Sequence, residues 1–368
     1  MSTPGEEIRK RLQDRGWTQA DLAQIVDRPP QTINQIIQGK KSITPEMAAE
    51  LAAAFGTAPE MWMQLESQFR LSLTQIDPHP IQKRARLYDY APIKEMIRRR
   101  WIKAAESIEE QERVVCQFFE INSLDEPPRI VSAMRKSSPS TVLSPSQTAW
   151  CFRARQLAKA MPIIPFDDGR MRSLKRDLRI LAAYPAEAMN VPTVMRDNGI
   201  RFVVVEHLTG SRVDGAAFWL DEQSPTIAVS LRLDRIDNFW FTLMHECSHI
   251  EHHDALSVDV EMGQEERVQP LMKENIEKRA DEEAAAALVS PDELDSFVRR
   301  IGPIYAEPNI IQFAHRIKMH PGIIVGQLQH RAEIGFGSHK NLQPKIRAHV
   351  ISTALTDGWG VELAPGSI

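Results

Sequence analysis

The residues best suited to chemistry are His245-Glu246-Cys247-Ser248-His249. Histidines at i and i+4 of an α-helix project from one face, because a turn takes about 3.6 residues, so both imidazoles can reach one ion. Zinc accepts imidazole nitrogen and carboxylate oxygen in a tetrahedral shell, and a catalytic zinc keeps one position open. The ion brings the pKa of a bound water to about 7. Glu246 points to a neighbouring face and is the expected general base for that water. A third ligand is needed, and Glu277, 28 residues beyond His249, is the expected one. Asp281 follows at i+4, so the two carboxylates share a helical face. Asp281 is expected to accept the free N–H of a ligand histidine and fix its tautomer. Cys247 is expected to pack inward, and His252 and His253 to sit at the solvated end of the helix.

Positioning these groups takes two helices and a sheet. Asp237–Ile250 is apolar on most sides and predicts a buried helix. A second helix is predicted from about Glu274 to Val289, and its small residues, Ala280 and Ala284 to Ala287, permit a close approach to the first. Ahead of both, Ile200–Val205 and Thr226–Leu231 are β-rich runs, with Gly215–Leu220 as a third strand.

The N-terminal residues 1–72 carry a different signal: five short helices with tight turns around one small core. Thr18 with Asp21 caps the second helix, Pro45 opens the fourth, and Thr57-Ala58-Pro59-Glu60 reads as a capping box for the fifth. The second and third helices have helix-turn-helix proportions. The third buries Ile33, Ile36 and Ile37 and leaves a polar face of Gln31, Thr32, Asn34, Gln35 and Gln38. Gln and Asn can pair with adenine edges in the major groove, and Thr can touch a thymine methyl. Gln19 is expected to meet a phosphate, and Lys40 and Lys41 the DNA backbone. The expected partner is double-stranded DNA, bound by a homodimer on an inverted repeat. A protein-interaction module with a solvated polar face is the competing reading.

Between these ends, residues 73–194 read as a helical connector, with the Pro- and Ser-rich stretch 125–147 as a mobile connection. Residues 195–335 form the expected metal-bearing domain, and 336–368 a polar tail. The fold class is mainly α with a small β-sheet. The chain has 368 residues, with Lys+Arg 45 against Asp+Glu 49 and a formal charge of −4. A uniformly basic chain is thereby excluded, and any nucleic-acid site must be a local patch. No run approaches the roughly 18 apolar residues of a membrane span, and the first residues lack a signal-peptide pattern. Three scattered cysteines make no disulfide framework; a reduced, cytoplasmic protein without membrane contact is expected.

Two stretches resemble known families. Residues 4–71 resemble the HigA-type antitoxin branch of the Xre/Cro-like helix-turn-helix family through Thr18-Gln19-Ala20-Asp21-Leu22-Ala23, Gln31–Lys40 and Ile43-Thr44-Pro45-Glu46-Met47-Ala48. The turn departs from that pattern, with Asp27-Arg28-Pro29-Pro30 where Gly-Val-Ser is common. Residues of about 195–330 resemble the ImmA/IrrE zinc metallopeptidases through Arg235–Glu246 and Glu277-Lys278-Arg279-Ala280-Asp281. Glu283-Ala284-Ala285 departs from the usual Phe-Ala-Ala. The resemblance implies a zincin-like α+β domain with His245, His249 and Glu277 on zinc, Glu246 as catalytic base and Asp281 behind the ligands. It implies two competing activities, which are compatible in one chain: a DNA-binding regulator whose zinc peptidase cuts a protein partner, and an antitoxin and autorepressor that holds a RelE-like toxin, its zinc domain non-proteolytic or sensory.

Overall fold

The computed structural model describes residues 3–74, 76–126, 143–162, 164–254, 257–260, 271–361 and 363. The chain divides into two compact units, Met1–Ile81 and Gln82–Ile368.

The first unit holds α1 (Pro4–Arg15), α2 (Gln19–Ile25), α3 (Pro30–Ile37), α4 (Pro45–Phe55) and α5 (Pro59–Leu73). Thr3 and Thr18 close reciprocal capping boxes with Glu6 and Asp21, which satisfies otherwise orphaned N–H groups. All five helices share one core, including Ile8, Leu22, Ile33, Ile36, Leu51 and Trp62. Gly5 lets α1 lie directly against the end of α3: a Cβ there would fall 2.2 Å from the Ile37 carbonyl oxygen. The expected capping box at Thr57 does not form. Ala58 is the N-cap residue of α5, and the Thr57 hydroxyl instead accepts the indole N–H of Trp62 at 2.9 Å. The start of α3 likewise has no side-chain cap, because Pro29 occupies the cap position.

The second unit is built on a five-stranded sheet, β1 (Arg201–Val205), β2 (Val213–Trp219), β3 (Pro225–Val229), β4 (Ser257–Val260) and β5 (Leu355–Asp357), in the order β4-β2-β3-β1-β5. β1 is parallel to β3 and β5, whereas β2 is antiparallel to β3 and β4. Residues alternate between two cores. Phe202, Val204, Ala217, Ile227 and Val229 face one, and Val203, Val205, Ala216, Phe218 and Ala228 the other. Both faces are covered, which explains why β1 reads as an unbroken apolar run.

The second face is covered by helices of the stretch expected to be a connector. After α6 (His79–Tyr90) come α7 (Ile93–Arg98), α8 (Ile108–Phe118) and α9 (Pro145–Lys159). α9 presses Ala149, Trp150 and Phe152 into this core, and the Trp150 indole donates to the Val205 carbonyl at 2.8 Å. Most of the stretch read as a mobile connection, 127–142, lies outside the described residues. The first face is covered by α10 (Met171–Leu181), α11 (Val191–Asp197), α12 (Ile236–Glu251), α13 (Leu271–Leu288), α14 (Pro291–Ile301), α15 (Glu307–Arg316) and α16 (Pro321–His330). The polar tail is also structural: after α17 (Arg347–Ile351) it supplies β5. The separate connector, domain and tail read from sequence therefore merge, from residue 82 onward, into one compact body. Local polarity concealed this, because two layers were being assembled from segments distant in sequence.

Candidate metal centre and DNA-reading helix

α12 lies under the sheet with nearly every residue of its middle turns buried. Gly215 on β2 lets it lie that close, since a Cβ there would fall 2.7 Å from Thr242 Cγ2 and 2.8 Å from Glu246 Oε1. α13 runs antiparallel beside it, so that His249 meets Glu277 and His245 meets Asp281. Small residues serve this contact: Ala280 and Ala284 are fully buried.

Three donor atoms converge. His245 Nε2 and His249 Nε2 are 3.0 Å apart, and Glu277 Oε2 is 3.3 Å from the first and 3.6 Å from the second. A tetrahedron with zinc–ligand arms of about 2.0–2.1 Å has edges of about 3.3–3.4 Å. The three donors thus span one face of such a shell, and the residues present fit a zinc ion. Two imidazole nitrogens this close also demand a proton or a cation between them. Burial opposes charge on His249 and on Glu277, yet their hydrogen bonds outweigh it. Asp254 and Glu277 lift the imidazole to about 9, and His245 and His249 hold the carboxyl down at about 2. The carboxylates around His249 thus favour positive charge on its ring.

The outer nitrogens are held as well. Asp281 Oδ1 is 3.0 Å from His245 Nδ1. Asp254 Oδ2 is 2.8 Å from His249 Nδ1 and also receives Arg279. Both imidazoles are thereby set with Nε2 turned inward. Asp254 escaped the sequence reading, as did Glu283, which accepts Ser248 Oγ at 2.7 Å and meets His252 Nε2 at 2.8 Å. Asp254 lies just past the end of α12, where no helical spacing marks it, and Glu283 lies on the following helix. Glu246 is completely enclosed between α12 and β2, and its charge helps raise His249. Cys247 is fully buried, and that burial pushes its thiol up to about 12. His253 stacks on Trp219, its ring centroid 4.7 Å away.

In the first unit, α3 turns Ile33, Ile36 and Ile37 inward. Gln31 and Asn34 are exposed, Thr32 and Gln35 half-buried, and Lys40 and Lys41 exposed just beyond the helix. Gln38 Nε2 donates to Asn34 Oδ1 at 3.0 Å, one turn apart. Gln19 is exposed at the first position of α2. Arg28 is paired with Glu50, Nε 3.0 Å from Oε2.

Residues 8–62 match the helix-turn-helix family model. Over 69 residues the chain is 30% identical to the HTH-type transcriptional regulator YddM of Escherichia coli, covering 19% of this chain and 73% of that protein. The chain belongs to the HTH-type transcriptional regulators. This regulator is also 42% identical over 52 residues to an HTH-type transcriptional regulator of Haemophilus influenzae, which is 14% of this chain and 49% of that protein. It is thus a DNA-binding transcriptional regulator of the Xre helix-turn-helix type. Among the described residues of the regulator, no helix is long and apolar enough to cross a membrane.

Proposed function

We propose that this transcriptional regulator is also a zinc-dependent peptidase that cuts a protein partner. The convergence of His245 Nε2, His249 Nε2 and Glu277 Oε2 at 3.0–3.6 Å carries the reading. Zinc supplies Lewis acidity and an ionised water at neutral pH. The chain's own groups do the rest. His245, His249 and Glu277 would hold the ion, and Asp281 and Asp254 keep the two imidazoles turned toward it. Glu246 would take the proton of the attacking water at its carboxylate and return it to the departing amine. In the first unit, Gln31, Thr32, Asn34 and Gln35 would read base edges, while Gln19, Lys40 and Lys41 would meet phosphates. A homodimer on an inverted-repeat operator suits that arrangement.

A second reading has one observation in its favour, the complete enclosure of Glu246. In it, the zinc body is sensory or non-proteolytic, and the chain is a HigA-like antitoxin and autorepressor that binds a RelE-like toxin.

The deciding experiment begins with metal content. Wild type should carry about one zinc per chain, and a His245→Ala, His249→Ala double variant none. Glu246→Gln should keep the zinc and lose partner cleavage and the regulation that depends on it. Unchanged regulation in Glu246→Gln would leave the second reading standing.

A further inference from the structure

A cavity of about 150 Å³ opens one helical turn from the metal donors, between α12, α13 and α16. Phe241 forms its inner wall, and the Phe241 ring centroid is 6.3 Å from that of His245. Ala285 continues the α13 stripe of Glu277 and Asp281 by one more turn, at i+4 from Asp281. Leu288 and Ile323 complete the apolar wall, and Phe336, 68% exposed, stands at the edge. The Phe336 segment is tethered, since Gln329 Nε2 donates to the Ser338 carbonyl at 3.2 Å.

Resting on the peptidase reading above, we propose that this cavity is the specificity pocket of the metal site. It would take an aromatic or branched aliphatic side chain of the polypeptide, at the residue adjoining the bond held over the metal. Three observations support that occupant. The volume is that of a cavity able to take a benzene ring, and its lining joins Phe241, Leu288 and Ile323 to the polar Asn238, Gln327, Gln329 and His330. The one guanidinium in the lining, Arg235, is paired with Asp237, Nε to Oδ1 at 3.1 Å, so it does not select for an acidic side chain. The lining also includes Phe241, one turn along α12 from His245, and Ala285, one turn along α13 from Asp281, so the cavity adjoins the donor cluster.

Ligand affinity tests this without turnover. Zinc-loaded full-length protein is titrated calorimetrically with acetohydroxamic acid and with 3-phenylpropionohydroxamic acid. Both chelate the metal, but only the second carries a ring. Burying the ring should tighten binding on the order of 10- to 100-fold. Ala285→Phe fills the pocket from its wall and should abolish that preference, read as the ratio of the two affinities in the same zinc-loaded protein. Phe336→Ala, at an exposed position, should reduce the preference severalfold. Equal affinity of the two compounds for wild type overturns the pocket but leaves the metal site intact. Binding of neither, in protein shown to contain zinc, overturns the peptidase reading beneath it.

Discussion

At the scale of single residues, the second layer around the donors carries a sharp expectation. Asp254 holds His249 Nδ1 at 2.8 Å. Asp254→Asn should therefore lower zinc affinity about 10- to 100-fold, measured by competition with a chromogenic chelator, with the circular dichroism unchanged. In the first unit, the proposed base and backbone contacts make different predictions. Asn34→Ala should cost about 1–3 kcal/mol at one operator base pair and relax selectivity there. Lys40→Ala should weaken all sequences alike and make the salt dependence shallower by about one unit of slope. Gel-shift titrations over a salt series distinguish the two. The donors themselves were legible in the sequence, because i, i+4 spacing fixes which face of a helix a side chain leaves. Asp254 was not, because it reaches His249 by a chain reversal past the end of α12, and Glu283 was not, because it meets Ser248 and His252 rather than the metal donors.

At the scale of elements, caps and packing glycines decide where the helices lie. Gly215 brings α12 against β2, so Gly215→Val should force them apart, lowering the urea midpoint and zinc affinity together. Overpacking of this kind costs about 1–3 kcal/mol. Past the end of α8, Glu120 accepts Lys159 Nζ at 2.6 Å and Arg155 Nη1 at 3.0 Å, which ties the α8 end to α9. Burial raises the carboxyl's pKa, but these cations outweigh that and hold it below its ordinary value of 4.5. A lowered acid stabilises the fold above its unfolded pKa, and the contribution disappears as pH falls through the folded one. Glu120→Gln should therefore flatten the acid limb of a thermal-midpoint against pH profile, and leave its slope above pH 6 unchanged. The long helices and β1 to β3 were readable from apolar period and turn residues. β4 and β5 were not: the latter is three residues long, and Leu355-Thr356-Asp357 becomes a strand only because β1 offers it an edge. Thr57 shows the same limit, since the local pattern suggested a cap while Trp62 claimed the hydroxyl.

At the scale of the molecule, a helix-turn-helix unit and a second compact unit with metal-donor geometry share one chain, each with its own core. Composition hinted at this only weakly, because a net charge of −4 averages over both units. The compactness of residues 82–368 was hidden from any reading by segments, since the sheet draws strands from residues 201 to 357 and its cover from as early as Leu87 on α6. The parallel pairing of β5 with β1 has a consequence in time. During synthesis the first 81 residues emerge with all the partners of their own core, roughly 15–60 s before residue 368 at about 5–20 residues per second. The outer edge of β1, by contrast, has no partner strand until residues 355–357 leave the ribosome. The nascent chain can thus present a finished DNA-reading head while the edge of its sheet is still open to mispairing, so the second unit is where chaperone dependence and aggregation should concentrate.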